Sequence, residues 1–330
     1  MATRGLPATI CVLLASLVLS PVAAGTGPAP PSAADFARAT ADLLRAPAFR
    51  ESPRLLRPRG PGGSGGATDP GAFLPAADEP ILPANRVLSL YGAPQLKSTA
   101  LGKLTPAGAS RLALRQSVPY QRLGARPVIP SFDLIGVVAN STRGTDGLYR
   151  TRQPDALIAQ YLEAVRRFDG RLVIDIQPGR ASVVDEIDAL EKWIAQPDVD
   201  VAIDPEWNVG RRGVPGETAG SITARDLNAA SRRIQAIVTD NDLPPKLLVV
   251  HQFTRRSIRR RALIKQRPGV TATLNFDGIG TVAPKIAGYE ALATEGLFNG
   301  FSLFYDLDTP VMGPAAVLAL VPEVDFLLYQ

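Results

Sequence analysis

RLVIDIQPGRASVVDEIDALEKWIAQPDVDVAIDPEW, residues 171–207, is the stretch from which the fold can be read. Its opening, Arg171 to Ile176, is a short β-branched run with Gly170 closing the segment before it and Pro178-Gly179 after it, the pattern of a buried strand. Ser182 stands three residues before Asp185, where a cap can satisfy the free amides of a new helix. A second β-branched run follows from Val199 to Ile203. Strand, helix and strand in this order require a right-handed crossover and parallel neighbours, because only a helix-length connection returns the chain to the same end of the sheet.

The same alternation extends in both directions. Strands are predicted at Arg86 to Leu90, Val128 to Val137, Arg171 to Ile176, Val199 to Ile203, Lys246 to Val250, Val270 to Leu274, Gly300 to Tyr305 and Val324 to Leu328, eight in all. Between them, apolar residues recur at helical spacing, as in Ile158, Tyr161, Leu162, Val165 and Phe168, or Leu227, Ile234, Ile237 and Val238. Pro154 is placed to open the first of these helices. Eight such units over residues 81–330 predict an α/β fold, a (β/α)8 TIM barrel, which typically takes about 250 residues. An open doubly wound sheet is the rival; the count of eight and the lack of a glycine-rich loop after the first strand favour the barrel. The run from Pro127 to Asn140 is long enough for a strand with a bulge.

Upstream, Arg4 and the apolar run Ile10 to Leu19, followed by Val22-Ala23-Ala24, have the form of a signal peptide over residues 1–24 with cleavage after Ala24. Cys11, the single cysteine, lies inside the apolar run, so a secreted mature chain would carry neither a disulfide nor a lipidated cysteine. Residues 25–80 are rich in Pro, Gly and Ala and read as a flexible, disordered linker with one possible short helix, Ala34 to Leu44. Within it, GPGGSGG (residues 60–66) formally matches a dinucleotide fingerprint and a nucleophile elbow, but without a strand before it or a helix after it. No segment of the mature chain is apolar for long enough to span a membrane.

The chain has 330 residues, 45% hydrophobic and 20% charged, which excludes a wholly disordered or collagen-like protein. Lys and Arg exceed Asp and Glu by only 36 to 31, too little to point to nucleic acid as a partner. The one dense basic run, Arg255, Arg256, Arg259, Arg260, Arg261, Lys265 and Arg267, is read as a helix after the fifth strand, either solvated or in contact with anionic wall polymers or lipid headgroups.

In parallel barrels the chemistry gathers at the C-terminal strand ends. Here those ends are polar: Asp175 and Gln177 on the third strand, Asp204, Glu206 and Trp207 on the fourth, His251 and Gln252 on the fifth, Asn275 and Asp277 on the sixth, and Tyr305, Asp306 and Asp308 on the seventh. Alternation places Asp175 with Gln177, Asp204 with Glu206, and Asn275 with Asp277 on common faces. Any one of them could merely cap a turn. Together, at matching depth, they predict a polar mouth.

The chain has no HExxH, no CxxC and no phosphate loop in a strand-helix context, and no cofactor is implied. Carboxylates beside amides and aromatics suit glycoside hydrolysis, which needs one protonated and one ionised carboxyl; crowding in a partly apolar mouth raises one pKa and so supplies the acid. The ending Ile203-Asp204-Pro205-Glu206-Trp207 resembles the strand-four acid of glycoside hydrolase barrels, including the terminal Asp-x-Glu of the chitinase type, although Ala202 and Val199 stand where that motif has earlier aspartates. Over most of residues 86–330 the chain is also similar to an uncharacterised family of secreted bacterial (β/α)8 barrels carrying IDxQxGR, DPEW, VVHQF and DGxG, here Ile174 to Arg180, Asp204 to Trp207, Val249 to Phe253 and Asp277 to Gly280. The glycosidase resemblance implies Glu206 as acid/base, Asp306 or Asp277 as its partner and Asp204 as an electrostatic tuner. Because amides bind hydroxyls and aromatics stack on sugar rings, Asp175, Gln177, Trp207, His251, Gln252, Asn275 and Tyr305 are read as contacts to a polysaccharide or cell-wall glycan. Two alternatives stay open: a non-catalytic glycan-binding barrel, and a hydrolase using Mg or Ca held by Asp175, Asp204, Glu206, His251 and Asp277.

Overall fold

The computed structural model describes residues 79–330. Eight parallel strands close a barrel: β1 (Arg86–Gly92), β2 (Val128–Ala139), β3 (Arg171–Ile176), β4 (Val199–Ile203), β5 (Lys246–Gln252), β6 (Val270–Phe276), β7 (Phe298–Leu303) and β8 (Phe326–Tyr329). Closure is made by β1, which pairs in parallel with both β2 and β8. The chain is therefore a TIM barrel, as its strand count predicts. The signal segment, the linker, the helix at Ala34 to Leu44 and GPGGSGG fall outside the described residues.

The connecting helices are α1 (Pro106–Leu123), α2 (Asp155–Arg166), α3 (Val183–Ala189), α4 (Ala224–Asp240), α5 (Val282–Leu292) and α6 (Pro314–Leu318), with shorter turns beside them. Ile158, Tyr161, Leu162 and Val165 on α2, and Leu227, Ile234, Ile237 and Val238 on α4, are the buried faces that their spacing predicts. Pro154 is the N-cap residue of α2, and the Gly170 amide closes the turn after it on the Val165 carbonyl at 2.9 Å. Ser182 occupies the N-cap of α3 but makes no side-chain cap bond. Among the described residues no helix is long and apolar enough to cross a membrane.

One expectation is corrected. No helix follows β5 to carry the basic run; that connection contains a two-residue strand, Ile258–Arg259, and a short 3-10 turn, Arg261–Leu263. The reason lies in the composition: with cations at nearly every second position and only Ile258, Ala262, Leu263 and Ile264 apolar, three of them consecutive, the run has no stripe with which to pack a helix. Arg260 also adopts a left-handed conformation, φ 56°, which breaks helical continuity.

The barrel interior is apolar at mid-height and polar at both ends. Val173, Ala202, Val249, Phe326 and Leu328 fill the middle, joined by Ile81 and Leu82 from the segment that precedes β1. Alternation along β3 places Arg171, Val173 and Asp175 on one face, and along β4 Asp200, Ala202 and Asp204. At the N-terminal end Arg171 grips Asp200 bidentately at 2.6 and 2.9 Å, both buried, and Asp200 also accepts the Leu247 amide at 2.8 Å.

Candidate active site

At the C-terminal ends of the strands lies a cavity of about 200 Å³ whose walls include Tyr91, Gln177, Asp204, Glu206, His251 and Asp277, with Trp207, Phe253 and Phe304 as its aromatic surfaces. Behind these residues is a fully buried tier consisting of Asp133, Asp175, Asn275 and Ser302. The polar strand ends converge on one cavity, because a parallel barrel brings every strand to the same rim.

Asp277 is the best anchored carboxyl. Its Oδ1 accepts the Asn275 amide at 2.7 Å and the Ser302 hydroxyl, and its Oδ2 is 2.8 Å from His251 Nδ1. Asn275 also donates to the Ser302 hydroxyl at 2.8 Å, so these two side chains form a bracket beneath Asp277. The bracket requires Gly300: a Cβ there would fall 2.3 Å from Asn275 Oδ1. Gly300→Ala is therefore expected to cost about 1–3 kcal/mol through overpacking, read as a lower urea midpoint; an unchanged midpoint would show that Asn275 yields freely.

His251 lies between two acids, with Nδ1 on Asp277 and Nε2 at 3.7 Å from Asp133 Oδ2, an ion-pair distance but not a hydrogen bond. Burial works against its charged form, but the attraction of Asp277, Asp133 and Asp175 outweighs burial and raises its pKa well above 6.5. The folded state thus holds a proton that the unfolded state releases. The stabilisation from this group is complete below pH 6.5 and disappears as pH rises through the folded pKa. Since His251 is the only histidine of the chain, a proton NMR titration reads it directly. The imidazole is expected to stay protonated well past pH 6.5, and a midpoint at or below 6.5 would remove the imidazolium from the site.

On the other side of the mouth the Tyr91 hydroxyl lies 3.4 Å from both Asp175 Oδ2 and Asp204 Oδ2, and accepts the Gln177 amide at 3.2 Å. Burial and the charges of these two aspartates raise the Tyr91 pKa, so the phenol remains a donor. Burial also dominates at the acids. Asp175 is pushed up to about 8, with Asp133 and Asp277 adding to burial against the pull of His251. Asp204 is raised well above the usual carboxylate range by burial and then by the charges of Glu206 and Asp175. Asp133, whose oxygens have no hydrogen-bond donor among the described residues, is raised as well, chiefly by burial.

Glu206 stands on the short 3-10 turn Pro205–Trp207 directly after β4. Burial first and the charge of Asp277 second push its pKa up to about 7, and His251 opposes the shift. It is therefore a carboxylic acid that holds its proton near neutrality, facing the cavity that Asp277 also lines.

Not every predicted residue belongs to this arrangement. Gln252 points outward, donating to the Leu292 carbonyl at 3.2 Å and accepting from Arg261 at 2.9 Å, because its neighbour His251 takes the inward face. The strand β7 ends two residues before Tyr305, whose ring stacks on Tyr329 with centroids 5.5 Å apart. Asp306 lies on the cavity rim with its side chain 65% exposed and paired with Lys103. Asp308 is buried in an ion pair with Lys285 and accepts the Gly280 and Phe304 amides, a structural role. The Gly179-Arg180 end of the IDxQxGR segment ties loops together: Arg180 donates to the Gly213 carbonyl at 2.7 Å and covers the Tyr149 ring.

Asp133 and Ser302 are the residues that strand-end reading misses. Asp133 is in mid-strand because β2 continues past a register shift between Ile135 and Val137 and pairs at its end with the antiparallel segment Arg150–Arg152. A lone Asp within an apolar run was the available signal. Among the described residues no group of three or more His, Cys, Asp or Glu is disposed to hold a metal ion.

No family model matches the chain, and no curated protein matches it. Among solved structures, Burkholderia cenocepacia dihydropteroate synthase, crystallised with 7,8-dihydropteroate, is similar at 14% identity and a TM-score of 0.31, over 75% of this chain and 86% of that one.

Proposed function

We propose that this barrel hydrolyses glycosidic bonds of an extracellular or cell-wall polysaccharide, with Glu206 as general acid and Asp277 as the anionic partner. The observation that carries this reading is that two carboxyls line one cavity in opposite settings. Glu206 keeps its proton to near neutrality, while Asp277 accepts the Asn275 amide and the Ser302 hydroxyl and lies 2.8 Å from His251 Nδ1. In the reaction Glu206 gives its proton to the departing glycosidic oxygen as the bond to the anomeric carbon breaks. Asp277 stabilises or attacks that carbon, or takes the proton of the water that does so. His251 positions the Asp277 carboxylate from behind and remains protonated throughout. Trp207 and Phe253 provide faces on which a sugar ring can stack. Asp277 replaces Asp306 as the favoured partner, since Asp306 is exposed and engaged by Lys103.

The test is to incubate the protein with a panel of wall glycans and aryl glycosides and follow new reducing ends. Turnover is expected, with kcat/KM falling on the alkaline side of about pH 7 as Glu206 loses its proton. Glycan binding without turnover would overturn the catalytic reading in favour of a binding barrel. Export belongs to the same proposal and is checked by N-terminal sequencing of protein from the culture medium, expected to begin at Gly25; recovery of a chain that keeps Met1–Ala24 would reject it.

A further inference from the structure

We infer that a second, basic cavity, beside the N-terminal half of α4, binds a multiply charged phosphate-bearing ligand. Its volume is about 900 Å³, and Arg225, Arg232, Arg259, Arg260, Lys265 and Arg267 all line it. None of its residues lines the candidate active site. The sequence places four of these cations in one run; the fold adds Arg225 and Arg232 from a helix about thirty residues earlier in the chain.

Among the described residues none of the six forms an ion pair with a carboxylate; the one polar side-chain bond among them runs from Arg267 to the Ser231 hydroxyl at 2.9 Å. Arg233, on the same helix, shows the contrast: it pairs with both Asp188 and Glu191. Asp226, next to Arg225 in the chain, is bonded to the Thr223 hydroxyl at 2.7 Å. Six like charges around one concavity repel one another, and a polyanion relieves that repulsion.

The cavity is also built rather than improvised. Buried Asn228 donates to the Leu263 carbonyl at 2.8 Å and accepts the Lys265 amide at 2.9 Å, fixing the basic loop to α4. Parallel pairing of Ile222–Thr223 with Ile258–Arg259 holds the other end of the loop. A fixed frame lets the cations converge without a large ordering cost on binding. Five of the six are Arg, whose planar fork matches phosphate oxygens bidentately. The volume suits a compact ligand, since small-molecule sites run from about 300 to 1,000 Å³.

The experiment is calorimetric titration of the full chain with inorganic tripolyphosphate, beside flotation with phosphatidylglycerol and phosphatidylcholine vesicles. Tripolyphosphate is expected to bind, to weaken as salt rises, and to lose about tenfold or more in affinity in R259A/K265A and separately in R232E. Circular dichroism verifies that both variants are folded, and all three positions they change are exposed. If the phosphate is that of a lipid headgroup, tripolyphosphate displaces the protein from phosphatidylglycerol vesicles. If it is that of a free ligand, the vesicles are not bound at all. The inference is overturned by any of three results: no tripolyphosphate binding, equal binding by the folded variants, or vesicle binding that tripolyphosphate does not compete.

Discussion

Replacing Glu206 with Gln is expected to reduce turnover of a natural glycan by about 10²- to 10⁴-fold, the usual contribution of a positioned general acid, with binding nearly unchanged. Gln keeps the size and hydrogen-bonding capacity of the protonated acid but has no proton of suitable acidity to give. The loss should also depend on the leaving group. An aryl glycoside whose departing phenol needs little protonation should lose far less than a sugar leaving group, because only the latter needs the acid in the transition state. The measurement is kcat/KM for both substrate types in the two proteins. Equal losses on both would show that Glu206 acts through binding or folding and not through proton transfer.

At the opposite end of the barrel, Arg171→Met is expected to destabilise the fold by about 3 kcal/mol, because it removes the bidentate partner of a buried carboxylate and leaves it only the attraction of buried Lys246. Asp200 is fully buried and its Oδ1 also accepts the Leu247 amide, so it cannot turn to water when the guanidinium is removed. Adding Asp200→Leu should recover part of the loss but not all, since the Leu247 amide then lacks its acceptor, at a cost of about 1–3 kcal/mol. Urea unfolding of the two variants and the parent measures both steps. A single variant as stable as the parent would mean that Asp200 is solvated or protonated, contrary to its packing.

The architecture was legible because its signal is periodic and local. RLVIDI and VDVAI are β-branched runs separated by a helix-length segment, and this unit recurs until the strand count reaches eight. Glu206, Asp204, Asp175, His251, Asn275 and Asp277 were legible for a related reason, since a parallel barrel carries every strand end to one rim. What was hidden depends on register. Asp133 was missed because β2 runs on past the rim, so its mouth-level residue lies in mid-strand. Tyr305 was misplaced because β7 begins and ends two residues earlier than its apolar run suggests. Gln252 faces away because His251, one residue before it, takes the inward face. The basic run was misread as a helix because charge density says nothing about packing; it is pairing with Ile222–Thr223 and the clasp of Asn228 that shape the loop.

The proposed chemistry depends on Glu206 holding its proton in the cavity that Asp277 also lines. Carbon-13 NMR titration of side-chain-labelled glutamate in the full chain tests this most directly, with the Glu206 signal identified by its disappearance in Glu206→Gln. Its midpoint is expected near 7 and should move down in Asp277→Asn, where the neighbouring charge is gone. A midpoint at the ordinary 4.5, unmoved by Asp277→Asn, would contradict the account.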